Sequence, residues 1–183
     1  MSSLLAALRP FPPLPSSDGQ VILRPWRLED ADFLLTSFAD DQVREMAPLA
    51  APIDFGIAQR WIRDHAARGA RPSSPAFLIV DAAGARLGAI GATSIDWNAH
   101  HAEFFYWVLA PYRGRGLATR ALQTISEWAL AGGLANLQLM IDTSNQVSAK
   151  VALGAGYRFT HMHPAYRMLG GHLIDAAAYV RQA

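Results

Sequence analysis

The stretch from His101 to Leu122, HAEFFYWVLAPYRGRGLATRAL, constrains the fold more than any other. The aromatic and apolar run from His101 to Ala110 reads as a buried strand, and Pro111 ends it. Arg113-Gly114-Arg115-Gly116 follows. Leu117 to Ala131 then sets Leu117, Ala121, Ile125 and Trp128 on one helical face, and Gly132 and Gly133 stop it. A strand that turns through glycines straight into a helix is a building unit of α/β folds.

The rest of the chain alternates in the same way. Gln20 to Pro25 is a short strand. Leu28 to Phe38 carries Leu28, Ala31, Leu34, Leu35 and Phe38 at helical spacing. Ile53 to Arg68 does so with Ile57, Trp61 and Ile62, and Gly69 suits its C-cap. Ala76 to Val80 and Leu87 to Ile95 are strands around a turn at 82–85. Leu137 to Asp142 is a strand, and Gln146 to Leu153 is a short helix ended by Gly154 and Gly156. Tyr157 to Met162 and Tyr166 to Val180 supply the closing strands. The order β-α-α-β-β-β-α-β-α-β-β predicts one α/β domain. Its mixed, twisted sheet has about six or seven strands with helices on both faces. Residues 1–19, with Pro10, Pro12, Pro13 and Pro15, read as a Pro/Ser-rich extension before a domain at 20–183.

Composition narrows the function classes. With 51% hydrophobic and 17% charged residues, the chain is not a disordered one. The low charge content also suits a homodimer. A net charge of +1 argues against a nucleic-acid partner. The absence of cysteine excludes disulfides and thiolate chemistry. No apolar run approaches the roughly 18 residues of a membrane span. The apolar patch Leu4 to Leu8 is followed, not preceded, by its basic residue Arg9. The expectation is a cytoplasmic protein with no membrane partner. The adjacent His100 and His101 point apart on a strand, and His161 and His163 lack a carboxylate at zinc spacing, so no metal is predicted.

The turn after the aromatic strand carries chemistry. A helix N-terminus leaves backbone N–H groups unpaired and bears partial positive charge. Glycines let an anion approach the backbone, and Arg113 and Arg115 add charge, so the turn suits a phosphate or pyrophosphate. A surface connector whose glycines only close a tight turn is the alternative. The spacing matches neither the dinucleotide nor the P-loop fingerprint.

Arg113-x-x-Gly116-x-Ala118 resembles the pyrophosphate signature of the GNAT acyltransferases. The context agrees. LRPWRLEDADFLL at 23–35 resembles the family's first strand and helix, and DDQVREM at 40–46 the loop after it. SNQVSAKVALGAGY at 144–157 resembles its N-x-x-S segment. The similarity spans roughly 20–180, and the nearest branch is that of the ribosomal-protein N-terminal alanine and serine acetyltransferases.

This resemblance implies acetyl-CoA as cosubstrate and an amine as acceptor, either a protein N-terminus or a small molecule. The pantetheine arm would lie along Trp107, Val108 and Leu109. The pyrophosphate would sit on the turn formed by Arg113, Gly114, Arg115, Gly116, Leu117, Ala118 and Thr119. Asn145 and Ser148 would face the thioester, with Ser148 donating to the departing thiolate, and Lys150 would meet a phosphate. Apart from that role, Asn145 suits an N-cap and Ser148 an ordinary helix hydroxyl. Glu103 shares a strand face with Phe105 and Trp107. An alkyl amine must lose a proton before it attacks, and a carboxylate among aromatic rings is a candidate base with a raised pKa.

Three positions depart from the pattern. Ala152 stands where many GNAT enzymes carry a tyrosine acid, Phe105 where the branch has glycine, and Arg120 where glutamate is common. A narrowed acceptor pocket follows from Phe105. A catalytically silent acyl-CoA-binding module, or transfer of another acyl group such as succinyl, is the competing reading.

Overall fold

The structure, a computed structural model, describes residues 11–46, 52–65, 72–169 and 172–183. Eight strands form one sheet: β1 (Leu14–Pro15), β2 (Ile22–Pro25), β3 (Ala76–Val80), β4 (Arg86–Asp96), β5 (His101–Val108), β6 (Asn136–Asp142), β7 (Arg158–Leu169) and β8 (His172–Gln182). Their order across the sheet is β1-β2-β3-β4-β5-β6-β8-β7. Every neighbouring pair is antiparallel except β5–β6, which is parallel. The helices are α1 (Ala31–Ser37), α2 (Asp41–Met46), α3 (Phe55–Asp64), α4 (Leu117–Ala131) and α5 (Gln146–Gly154).

The sheet is covered on both faces, which is why β3 reads Ala-Phe-Leu-Ile-Val with every residue buried. On one face, α4 sets Ala121, Leu122, Ile125 and Ala129 against Phe77, Ile90 and Phe104. On the other, α1 and α3 bring Phe33, Leu34, Trp61 and Ile62 onto Leu78, Ala89 and Trp107. Asp54 caps α3 by accepting from Ile57 N at 2.7 Å. Asp30 fixes the start of α1. It is 2% exposed, takes both Arg24 guanidinium nitrogens at 2.7 Å, and accepts from Arg27 N at 2.8 Å.

Some boundaries differ from the sequence expectation. The sheet has eight strands because Leu14–Pro15 adds an edge pair to β2, and Phe11 packs edge-on against Phe77 and Trp128. Residues 41–46, read as a loop, form α2. The helix predicted over 53–68 ends at Asp64 with His65 as its C-cap, and Gly69 lies outside the described residues. Residues 166–169 belong to β7, not to the last strand, since Leu169 pairs with His172. In the sequence, the intervening Gly170-Gly171 is a two-residue hairpin signal.

Replacing Asp30 with alanine leaves the Arg24 guanidinium without its carboxylate and the Arg27 amide without its acceptor. Denaturant unfolding of Asp30→Ala is expected to show a loss of about 3 kcal/mol, and a loss below about 1 kcal/mol would contradict the structural weight given to this pair.

Candidate active site

β5 and β6 stay together for three residue pairs, His101–Asn136, Ala102–Leu137 and Glu103–Gln138. Beyond them β5 follows β4 to Val108, while β6 follows β8 to Asp142. The two central strands therefore part in a V. Leu109 N donates to Leu87 O at 2.9 Å, and the Trp107 carbonyl faces Gly88 so closely that a Cβ there would lie 2.2 Å from it. Strand alternation then aims the backbone groups of Tyr106 and Val108 into the opening. Val108 O accepts from Arg113 Nε at 2.9 Å. Of the stretch Trp107 to Leu109, only Val108 turns its backbone groups to the gap, and its carbonyl is already taken by Arg113.

The turn beyond β5 meets its backbone requirement with glycine. Gly114 and Gly116 have φ of +76° and +72°, and Gly116 is the N-cap of α4. The first helical bond is Arg120 N to Gly116 O at 3.1 Å. The amides of Gly116, Leu117, Ala118 and Thr119 make no hydrogen bond to the described residues. A cleft of about 330 Å³ between residues 16–18 and α4 flanks them, bounded by Asp18, Gly116, Thr119 and Arg120.

The arginine heads are held beside the turn. Arg113 Nη2 reaches Asp40 at 2.6 Å, tying the turn to the junction of α1 and α2. Arg115 donates to Pro111 O at 2.9 Å and lies over the Tyr112 ring. Arg120 donates to Asp18 at 2.6 Å and to Arg115 O at 3.2 Å, and it fills the space a Gly116 side chain would need. Arg120, with Ser16 and the Gln20 amide, holds the Asp18 carboxyl down at about 2. The sequence suggested free positive charge from Arg113 and Arg115. The structure pairs Arg113 with Asp40, while Arg115 donates to a neutral carbonyl and keeps its charge beside the turn, so the attraction for an anion comes from Arg115 together with the amides and the helix terminus.

α5 supplies the other wall. Asn145 is its N-cap and accepts from Ser148 N at 2.9 Å, so the capping role expected for Asn145 is present. Ser148 is buried, and its Oγ lies 2.6 Å from the Tyr106 hydroxyl. Burial pushes the Tyr106 phenol up to about 12, with the Ser148 hydrogen bond pulling weakly the other way. Lys150 is exposed on the second turn, and Ala152 is packed in the core.

On the opposite face of β5, Glu103 is half-buried at the point where the strands part. Phe105 does not stand up into the opening. Its ring lies over Gly91, where a Cβ would come within 2.9 Å of it, and stacks on Trp107 at 5.8 Å. Spacing gave no hint of Tyr166. It sits at an irregularity in β7 between His163 and Arg167, where Ala165 has φ +51° and donates its amide to Asp175 at 2.8 Å. Partial burial, and then the nearby Glu103 carboxylate, raise the Tyr166 phenol. Asp40 and Tyr106 were missed for the same reason: each meets its partner across long sequence separations that no local pattern encodes.

The model of the acetyltransferase (GNAT) domain matches residues 20–158. The chain belongs to the GNAT acetyltransferase family. No curated protein matches it by sequence. Among solved structures it is similar to RimJ of Mycobacterium smegmatis in complex with CoA-disulfide, at 22% identity over 94% of this chain and 86% of that one, with a TM-score of 0.79. It is similar to RimL, a ribosomal-protein α-N-acetyltransferase, in complex with coenzyme A: 18% identity, 93% and 98% coverage, TM-score 0.80. Spermidine N-acetyltransferase from Vibrio cholerae, with CoA and spermine, matches at 14% identity over 89% and 95%, TM-score 0.78. At such identities these likenesses establish the fold.

The Tyr106 phenol links stability to alkaline pH. Its folded pKa lies above the unfolded value of 10.0, so its contribution is intact below pH 10 and is lost as pH rises toward about 12. Unfolding free energy is expected to fall across that window, and to fall less steeply in Tyr106→Phe. Equal slopes for the two proteins would contradict the burial of this hydroxyl.

Proposed function

We propose that this GNAT protein transfers an acetyl group from acetyl-CoA to a primary amine by direct attack in a ternary complex. The observation that carries the reading is the open V between β5 and β6, with amides at the start of α4 along the same edge that meet no partner among the described residues. The amides of Gly116 to Thr119 take the pyrophosphate, and the Tyr106–Val108 edge pairs with the pantetheine arm. The thioester then reaches the fork of the V, with Glu103 on one face and Ser148 on the other.

In this reading Glu103 accepts the ammonium proton, directly or through one water, and passes it to solvent; the neutral nitrogen attacks the carbonyl carbon and sheds its second proton as the amide forms, matching the one the departing sulfur takes up. The C–S bond breaks, and the electron pair leaves with sulfur, next to Ser148. Asn145 keeps the first turn of α5 in place. Holding amine and thioester together supplies much of the rate. The acceptor is a protein N-terminus or a small amine. RimL supports the first class and spermidine N-acetyltransferase the second.

Calorimetry and a thiol-release assay with a panel of peptide N-termini and small amines test this. Wild type is expected to bind acetyl-CoA but not ATP and to release thiol with at least one amine. Gly116→Asp forces a side chain onto a backbone at φ +72° and puts a carboxylate beside the free amides. It is expected to weaken acetyl-CoA by about a hundredfold or more. Glu103→Gln is expected to lower kcat about a hundredfold at unchanged cofactor affinity. Binding without turnover on any amine would make the protein a silent acyl-CoA module. Unaltered affinity in Gly116→Asp would remove the turn from the site.

A further inference from the structure

Four hydroxyls set beyond the first turn of their helices share one habit. Thr36, Ser37, Thr124 and Ser126 each donate to the carbonyl four residues earlier, at 2.6–2.8 Å. Ser148 departs from it. Lying in the first turn of α5, it makes no such bond, and its hydroxyl meets Tyr106 alone among the described residues.

A second tyrosine–serine pair in the same fold shows what this means. Tyr157 lies 2.8 Å from Ser126 Oγ, and Ser126 gives its proton to Leu122 O, so the tyrosine is left to donate. That pair is closed. In the Tyr106–Ser148 pair no carbonyl takes the serine proton. The Tyr106 hydroxyl also lies 3.5 Å from Ser148 O, but its 2.6 Å approach to Oγ is much the shorter. With Tyr106 donating to Oγ, the Ser148 proton has no acceptor among the described residues and is available toward the opening between β5 and β6. Tyr106 projects from the β5 face opposite Phe105 and Trp107, and reaches across to α5 where the strands have parted.

Resting on the acetyl-transfer reading, we propose that Tyr106 is a positioning residue that holds the Ser148 hydroxyl with its proton directed at the departing sulfur. As the amine nitrogen bonds to the carbonyl carbon, the C–S bond breaks and its electron pair goes to sulfur. Ser148 donates a hydrogen bond to that thiolate. The ammonium proton has passed through Glu103 to solvent before attack, and the second proton, lost by nitrogen as the amide forms, balances the one that sulfur takes up. Tyr106 stays protonated throughout, and it fixes a rotor that would otherwise turn freely.

The test compares Tyr106→Phe, Ser148→Ala and the double variant in thiol release, with Tyr157→Phe as a control of equal chemistry in the closed pair. Tyr106→Phe is expected to lower kcat about tenfold, one hydrogen bond's worth. Its acetyl-CoA Kd and amine KM stay within about twofold of wild type, as befits a group acting only on the transition state. The double variant is expected to be no slower than Ser148→Ala, because the tyrosine acts through the serine. Tyr157→Phe is expected to keep wild-type kcat. Additive losses, a change confined to KM, an unaltered kcat in Tyr106→Phe, or an equal loss in Tyr157→Phe would each overturn the proposal while leaving acetyl transfer standing. Absence of turnover by wild type with every amine would overturn both.

Discussion

Two parallel strands that separate inside a sheet leave backbone N–H and C=O groups facing a gap, and such groups need partners. Here β5 and β6 separate after Glu103–Gln138. Each is held by its other neighbour, β5 by β4 and β6 by β8, so the opening does not collapse. Every candidate group is placed by that parting. Glu103 sits at the fork, Tyr106 and Val108 aim at the gap, the turn after β5 leads into α4, and Ser148 lies in the first turn of the helix after β6. The opening is kept by pairing energy elsewhere in the sheet, which leaves its own edge for an extended ligand to pair with.

The charged side chains around the turn do structural work. Arg113 joins Val108 O to Asp40, and Arg120 joins the turn to Asp18 in the segment preceding β2. Each guanidinium answers a specific carboxylate at 2.6 Å. These pairs are partly exposed and contribute little stability on their own. Their effect is geometric, since they fix the glycine backbone where its amides are presented.

The fold was legible because the local signals are strong and agree. The β5–turn–α4 unit carries an aromatic strand, a proline stop, glycines where φ is positive and an apolar helical face, and α4 occupies the residues predicted for it. Asn145 was legible as a cap because Asn before a short helix has one obvious backbone partner. What stayed hidden depends on tertiary contact. The sequence puts Phe105 on the face of Glu103, and only Gly91 on β4 shows where its ring lies. Arg113 looked like a free cation until Asp40 appeared beside it. The Tyr106–Ser148 pair spans 42 residues, and its meaning rests on a comparison with Tyr157–Ser126 that only coordinates allow.

The central claim is that one backbone edge, the Tyr106–Val108 side of β5 continued by the amides of Gly116 to Thr119, receives an acyl-CoA. Residue-resolved amide hydrogen exchange with and without acetyl-CoA measures this directly. Slowed exchange is expected at Val108 and at Gly116, Leu117, Ala118 and Thr119, with little change at Trp107 and Leu109, whose backbone groups already face β4. Protection that appears elsewhere and spares these amides, or no protection at saturating acetyl-CoA, would contradict it.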